Sequence, residues 1–227
     1  MKLSLLCWNV QKRTLSARFR HILADLDRHY PTDLWMLQEV RLRQGRPFPF
    51  PDHLERAQSC NIRGLQNCFG VATLSRFPIE KAESYLSDAR ELGFATRKSA
   101  LLTAHRLPDG TTLQTLNVHA INFVPYRLFE KEMDRLEKLL EKMSSGRLVV
   151  GGDFNTWSPR RQKRLREMMG HYGLAKAEPR EEHLVKSFLG RPLDQLFYRG
   201  LTFLDAVAID ISLSDHNPIH FRFTTGV

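Results

Sequence analysis

Cysteine is scarce in this chain: Cys7, Cys60 and Cys68 are the only three in 227 residues. An odd handful of thiols makes no disulfide framework, and no CxxC pair offers a zinc or dithiol redox site, so a reducing compartment is expected. Long apolar runs are missing too. No stretch approaches the roughly 18 consecutive apolar residues of a spanning helix. The apolar opening Leu3–Trp8 meets Asn9, Gln11, Lys12 and Arg13 too soon for a secretory signal. It reads as a strand, and the protein as cytoplasmic. Acidic residues are in deficit, 25 against 34 Lys plus Arg, for a net charge of +9. A surplus of positive charge favours anionic partners, nucleic acid first and anionic membrane surface second. With 42% hydrophobic and 26% charged residues, the composition excludes a disordered chain or a coiled coil as a whole. No repeat, low-complexity tract or linker interrupts it, so residues 1–227 are expected to form one domain, with the proline-containing stretch Gly45–Asp52 as a loop.

What is present is a series of short apolar runs bounded by Gly, Pro or Asp. Leu3–Trp8, Leu34–Gln38, Phe69–Leu74, Leu101–His105, Thr112–Val118, Leu148–Gly151, Leu193–Tyr198, Phe203–Ala208 and His220–Phe223 read as strands. Leu107-Pro108-Asp109-Gly110 joins two of them as a hairpin turn. Three helices are marked by capping signals and helical spacing. One is capped by Ser16 and carries Phe19, Ile22, Leu23 and Leu26; a second spans Tyr126–Met143 with Gly146 beyond it. The third has Ser158 at its cap and Pro159 in its first turn, where a missing N–H costs nothing. It carries Arg160, Arg161, Lys163, Arg164 and Arg166, five cations within seven residues. Strands with interspersed helices indicate a layered α/β domain, with enough strands for two packed sheets.

The chemistry sits where the apolar runs end. Asn9, Glu39, Asn117 with His119, Asp153 with Asn155, and Asp215 with His216 each lie at or beside a strand terminus. A buried strand holds such a group on a rigid support, as active sites require. Taken singly, an Asn there can be a turn residue, Glu39 a solvated strand end, and His119 a structural histidine. Together they supply carboxylates, imidazoles and amides without a recurring cysteine or hydroxyl nucleophile. That inventory suits metal-assisted hydrolysis of a phosphoester: oxygen ligands for Mg²⁺, a carboxylate to take a proton from water, and donors for the phosphoryl oxygens.

Seven blocks occur in one order: Cys7-Trp8-Asn9-Val10, Leu37-Gln38-Glu39, Ser75-Arg76-Phe77-Pro78-Ile79, Asn117-Val118-His119, Gly152-Asp153-Phe154-Asn155, Pro192-Leu193-Asp194 and Ser214-Asp215-His216-Asn217-Pro218. In these blocks the chain resembles the endonuclease/exonuclease/phosphatase superfamily of deoxyribonuclease I-like fold, nearest to bacterial members without assigned substrates. The resemblance implies a four-layered α/β sandwich of two mostly antiparallel sheets flanked by helices, and a Mg²⁺-dependent phosphodiesterase or phosphatase in which Mn²⁺ is a possible substitute. It further implies Glu39 as principal metal ligand, with Asn9 and Asp215 beside the metal, and Asp153 orienting or deprotonating the water. Asn155 would bind the phosphate, His216 would contact it while held by Asp194, and His119 would stabilise or protonate the leaving oxygen. Asn117 would brace the site or bind substrate. Gln195 stands where the family often has an aromatic residue or His, so the Asp194–His216 pairing departs most from the pattern.

The leading expectation is a monomeric nuclease acting on nucleic acid, with DNA as substrate. Arg160, Lys163 and Arg164 share one helix face and would track the phosphate backbone; the same residues can equally be a solvated face. The alternatives are an enzyme for lipid headgroups or small phosphorylated molecules, and a nucleic-acid-binding module without turnover.

Overall fold

The computed structural model describes residues 1–43, 45, 49–88, 90, 97–143 and 146–226. Part of the expected loop Gly45–Asp52 therefore lies outside the described residues. In chain order the elements begin β1 (Lys2–Asn9), α1 (Ala17–His29), β2 (Leu34–Arg43), β3 (Glu55–Arg63), β4 (Asn67–Ser75), β5 (Ile79–Leu86), β6 (Ser99–Arg106) and β7 (Thr112–His119). They continue with α2 (Tyr126–Glu141), β8 (Arg147–Asp153), α3 (Pro159–His171), β9 (Ala175–Lys176), β10 (Ser187–Phe188), β11 (Arg191–Pro192), β12 (Asp194–Arg199), β13 (Thr202–Ala208) and β14 (Ile219–Thr224).

Two six-stranded sheets result, in the orders β13-β14-β1-β2-β4-β3 and β5-β6-β7-β8-β12-β9. Each is antiparallel except for one parallel pair, β1 with β2 and β7 with β8. Side-chain alternation along single strands fixes the layering. On β1, Leu3, Leu5 and Cys7 enter the core between the sheets, where they meet Leu113, Val149, Leu196 and Phe221. Leu6 and Trp8 point the other way, onto Phe19, Leu23 and Leu26 of α1. On β8, Val149 faces the first sheet, while Leu148 and Val150 pack under Phe129, Met133 and Leu140 of α2 and Leu165 and Met168 of α3. The order is thus α1, first sheet, second sheet, then α2 with α3. No helix among the described residues is long and apolar enough to cross a membrane.

Local signals place the helices. Ser16 Oγ accepts from Phe19 N, and Ser158 Oγ accepts from Arg161 N with Pro159 in the first turn. Two long strands lie outside the apolar runs read from the sequence. β3 and β5 are sheet edges whose side chains are mostly exposed or half-buried, so neither carries an apolar alternation. The cysteine reading needs correction as well: Cys60 and Cys68 are joined as a disulfide across β3 and β4, and only Cys7, buried between the sheets, is free.

Candidate active site

The parallel pairs bring the polar strand ends together at one edge of the sandwich. In register, Asn9 is opposite Gln38 across β1 and β2. His119 of β7 is opposite Asp153 of β8, which is opposite Asp194 of β12. Three candidate residues therefore lie in one row over three neighbouring strands. Gly152 makes the close approach possible: its φ is +141°, and a Cβ there would lie 1.9 Å from the Val118 carbonyl oxygen.

Glu39 reaches the site through an irregularity. The β2–β4 register shifts between Leu37 and Val40, and Glu39 takes a left-handed φ of 53°, a conformation that costs a non-glycine residue roughly 1 kcal/mol or more. The shift turns the Glu39 carboxylate into the cleft. Its neighbour Gln38 points between the sheets, where Nε2 donates to Asn117 Oδ1 at 2.7 Å. Asn117 is fully buried, donates to the carbonyls of Ala72 and Leu37, and ties the two sheets together beneath the site. It braces the cleft and does not line it.

The cleft has a volume of about 490 Å³ and is lined by Asn9, Glu39, His119, Asp153, Asn155, Asp215 and His216. Asp153 is buried and receives Asn9 Nδ2 on one oxygen and the Asn155 N–H on the other, both at 3.1 Å. His216 Nδ1 lies 2.6 Å from Asp194 Oδ2. Gln195 points to the other face of β12 and donates to Thr156 Oγ1, so it leaves this pair intact. The loop carrying His216 is tied to β1: Trp8 Nε1 donates to the His216 carbonyl at 2.8 Å, and Ser214 Oγ donates to the Asn9 carbonyl at 2.7 Å. Asp215 accepts from Lys186 Nζ at 3.0 Å.

Charge is distributed unevenly among these groups. Burial disfavours the His216 cation, but Asp194, its hydrogen bond, and then Asp153 and Asp215 override that and push the imidazole up to about 9. Burial and then the Asp194 charge raise the proton affinity of Asp153. His119 goes the other way, held well below its ordinary value by burial and by Lys98. Its Nε2 is 2.9 Å from Lys98 Nζ. A neutral His119 can accept there from the Lys98 side chain. Burial opposes ionisation of Asp215, yet Lys186 and His216 keep it below the usual carboxylate range.

Among the described residues, two groupings at the cleft could hold a cation. Asp153, Asp194 and His216 offer ligand atoms within 4.8 Å of one another, but His216 spends Nδ1 on Asp194. Glu39 is the freer ligand. Its carboxylate oxygens have Lys12 Nζ at 3.8 Å and His119 Nε2 at 3.7 Å, both beyond hydrogen-bonding distance. A half-buried carboxylate with unspent oxygens, beside Asn9 and Asp153, is an oxygen donor set that fits a hard divalent ion such as Mg²⁺ or Mn²⁺.

The three cations expected to track a phosphate backbone are elsewhere. Arg164 pairs with Asp134 and Glu137 on α2, Lys163 lies 3.8 Å from Glu167, and the Arg160 guanidinium stacks 3.7 Å over the Tyr126 ring. None lines the cleft. Arg161 is buried, donating to the carbonyls of Asn155 and Val124. The cleft's own lysines are Lys12, Lys98 and Lys186, and its lining also carries Phe123, Trp157 and Phe188. These six fall outside the blocks of strand-end residues, and no spacing signalled them. A larger groove of about 740 Å³ lies between α3 and residues 176–190; among the strand-end polar residues it holds only Asp194.

Two sheets sandwiched between helices, with carboxylates, amides and a carboxylate-held imidazole converging at one edge, define a phosphoesterase-type hydrolase. The Endonuclease/Exonuclease/phosphatase family model matches residues 6–216, and the chain belongs to that family. A UPF0294 protein of Vibrio parahaemolyticus is 32% identical over 226 residues, covering 98% of this chain and 78% of the relative. Among solved structures, an endonuclease/exonuclease/phosphatase family protein from Leptotrichia buccalis superposes with a TM-score of 0.74 at 18% identity, covering 97% of this chain and 99% of the other. The D. rerio TDP2 complexed with single strand DNA product gives a TM-score of 0.68 at 16% identity, covering 99% of both chains.

Proposed function

We propose that the chain is a divalent-metal-dependent phosphodiesterase that hydrolyses nucleic acid, with DNA the leading substrate. One observation carries the reading: a buried acceptor carboxylate, Asp153, and an Asp194-held imidazolium, His216, share a cleft with the unspent carboxylate of Glu39. Glu39 and Asn9 would hold the ion, with Asp215 beside them. When bound, such an ion supplies Lewis acidity that offsets charge accumulating on the phosphoryl oxygens.

The remaining steps belong to the protein. Asn9 and the Asn155 N–H orient Asp153, which takes a proton from the attacking water. The raised proton affinity of Asp153 brings it nearer to the working pH of a general base. His216 uses Nδ1 on Asp194 and keeps its Nε2–H for a non-bridging oxygen, where negative charge builds as the water attacks. On the opposite wall the Lys98 ammonium, seated against His119, offsets charge on the departing oxygen.

Nucleic acid over a small phosphoester is supported by Lys12, Lys98 and Lys186 lining the cleft, by the net charge of +9, and by the fold shared with D. rerio TDP2, which binds a single-strand DNA product. The test is a panel of plasmid DNA, single-stranded DNA, RNA, sphingomyelin and phosphoinositides, each with Mg²⁺ and with chelator. Chelator-sensitive hydrolysis of the nucleic acids is expected. Turnover confined to a lipid or small phosphoester would overturn the substrate assignment, and full activity in chelator would overturn the metal.

A further inference from the structure

Three aromatic side chains, Phe123, Trp157 and Phe188, line the cleft. Phe123 is 65% exposed and Phe188 51% exposed, although both are large apolar side chains. Exposed singly, such rings are ordinary; gathered at the mouth of a polar catalytic cleft, they mark a binding surface.

Their placement is held by specific contacts. Phe123 has a φ of 46°, a left-handed conformation that non-glycine residues seldom adopt. A single amide oxygen, Asn122 Oδ1, accepts both the Phe123 N–H at 2.8 Å and the Trp157 Nε1–H at 2.9 Å. It therefore ties the two aromatic residues to one point. The Arg161 guanidinium lies 4.5 Å from the Trp157 ring and is itself buried and bonded to the backbone, so the indole has a rigid backing. Phe188 meets Trp157 edge-on, with centroids 6.4 Å apart and planes at 84°. Phe188 is nonetheless half exposed beside the indole. It sits in β10 of a two-stranded hairpin whose turn, Leu189 and Gly190, has both residues at positive φ, the conformation that matches strand twist in a two-residue turn.

The wall begins at the catalytic groups. Phe123 follows His119 by four residues, Trp157 follows Asn155 by two, and all of them line the same cleft. Lys12, Asn61 and Lys98 line it as well. A ligand suited to this cleft presents a phosphate to the polar groups and a flat π-face to the rings.

We propose that Phe123, Trp157 and Phe188 form a stacking subsite for an unpaired nucleobase adjoining the scissile phosphate, so that single strands or unpaired ends are hydrolysed in preference to closed duplex. This inference rests on the nucleic-acid reading above. A base paired inside a duplex has both faces covered by its neighbours, whereas an unpaired base can place one on a protein ring, and stacking tolerates any base.

The experiment compares kcat/KM, with Mg²⁺, for three oligomers of equal length: single-stranded DNA, blunt duplex, and a phosphodiester chain of tetrahydrofuran units that carries no bases. The parent is expected to favour the single strand over each of the others by roughly ten-fold or more, within the range set by stacking of one or two bases. In Phe123→Ala/Phe188→Ala the single-strand to base-free ratio should fall toward one. Quenching of 2-aminopurine in a bound single strand, followed in chelator, should weaken in the same variant. A parent that cuts the base-free oligomer as fast as the single strand overturns the subsite while leaving the nuclease reading intact. A parent that cuts none of the oligomers but turns over a lipid phosphodiester overturns the nuclease reading itself. If the double variant keeps its single-strand preference and instead loses binding to phosphatidylserine/phosphatidylcholine vesicles, the rings contact membrane and the proposal is wrong.

Discussion

Replacing Asp194 with Asn removes one charge from the cleft and little else. The amide fills the same space, and its oxygen can still accept from His216 Nδ1, now 2.6 Å from the carboxylate. In the parent, burial works against the imidazolium, and Asp194 is the largest influence that carries His216 to about 9. Without that charge the imidazole should fall to about 6.5 or lower, its ordinary value, a change of about 2.5 units or 3.4 kcal/mol. At pH 7.5 the cationic fraction then drops from nearly all to roughly one tenth. The rate should therefore fall about ten-fold at that pH, and the alkaline limb of the kcat/KM profile should move from about 9 to about 6.5. The profile is measured with saturating Mg²⁺ on a DNA oligomer. The His216 titration itself is followed by ¹H–¹⁵N NMR on the metal-free chain. A limb and a titration that both stay within half a unit of the parent would falsify the claim that Asp194 sustains a cationic His216.

Further expectations concern metal, base, charge and stability. Glu39→Gln should raise the Mg²⁺ concentration for half-maximal rate by ten-fold or more, checked by metal titration; an unchanged requirement places the ion elsewhere. Asp153→Asn should lower kcat by about 10² to 10⁴ while circular dichroism stays that of the parent, and a folded variant within about three-fold of parent activity removes Asp153 as the base. Lys12→Gln should flatten the log–log salt dependence of binding by about 0.9 on duplex DNA, or about 0.7 on single strands, for each phosphate it no longer neutralises. Arg164→Gln, which loses Asp134 and Glu137, should leave that slope alone and lower stability by about 1 kcal/mol or less. The reverse outcome would return the phosphate track to α3. Burial, opposed by Arg135, raises the Glu132 carboxyl to about 7. The folded state thus holds a proton that the unfolded state releases at about 4.3, and stability present below that pH is lost as pH rises to about 7. Glu132→Gln should consequently stabilise the protein by up to about 3 kcal/mol at pH 8 and hardly at all at pH 4, read from urea unfolding; equal effects at both pH values would refute it.

Features of the chain that depend on neighbours in sequence are legible without a structure. Ser16 and Ser158 cap helices because each hydroxyl reaches an N–H only three residues on, and the strands that carry Leu3, Leu34, Thr112 and Leu148 are apolar because both of their faces are covered. Strand-end polar residues were visible for the same reason: they are where an apolar run stops. The Asp194–His216 pair was legible only through family resemblance, since 22 residues separate its members.

Tertiary structure alone decided the rest. β3 and β5 are edges of their sheets, largely exposed, and exposure erases the alternation that marks a strand. Cys60 and Cys68 meet because the register of β3 on β4 sets Cys60 against Gly70 and Arg63 against Cys68 around a bulge, and no spacing rule contains that register. The cations of α3 looked equivalent in sequence. Packing gave Arg164 to the acids of α2 and buried Arg161 beneath Trp157 and Phe129, leaving the cleft to lysines from three distant segments. Local pattern reports which side chains are buried and where chains turn, because those depend on a few adjacent residues. Which charge meets which, and which rings share a wall, depends on how two sheets and three helices align across the whole fold.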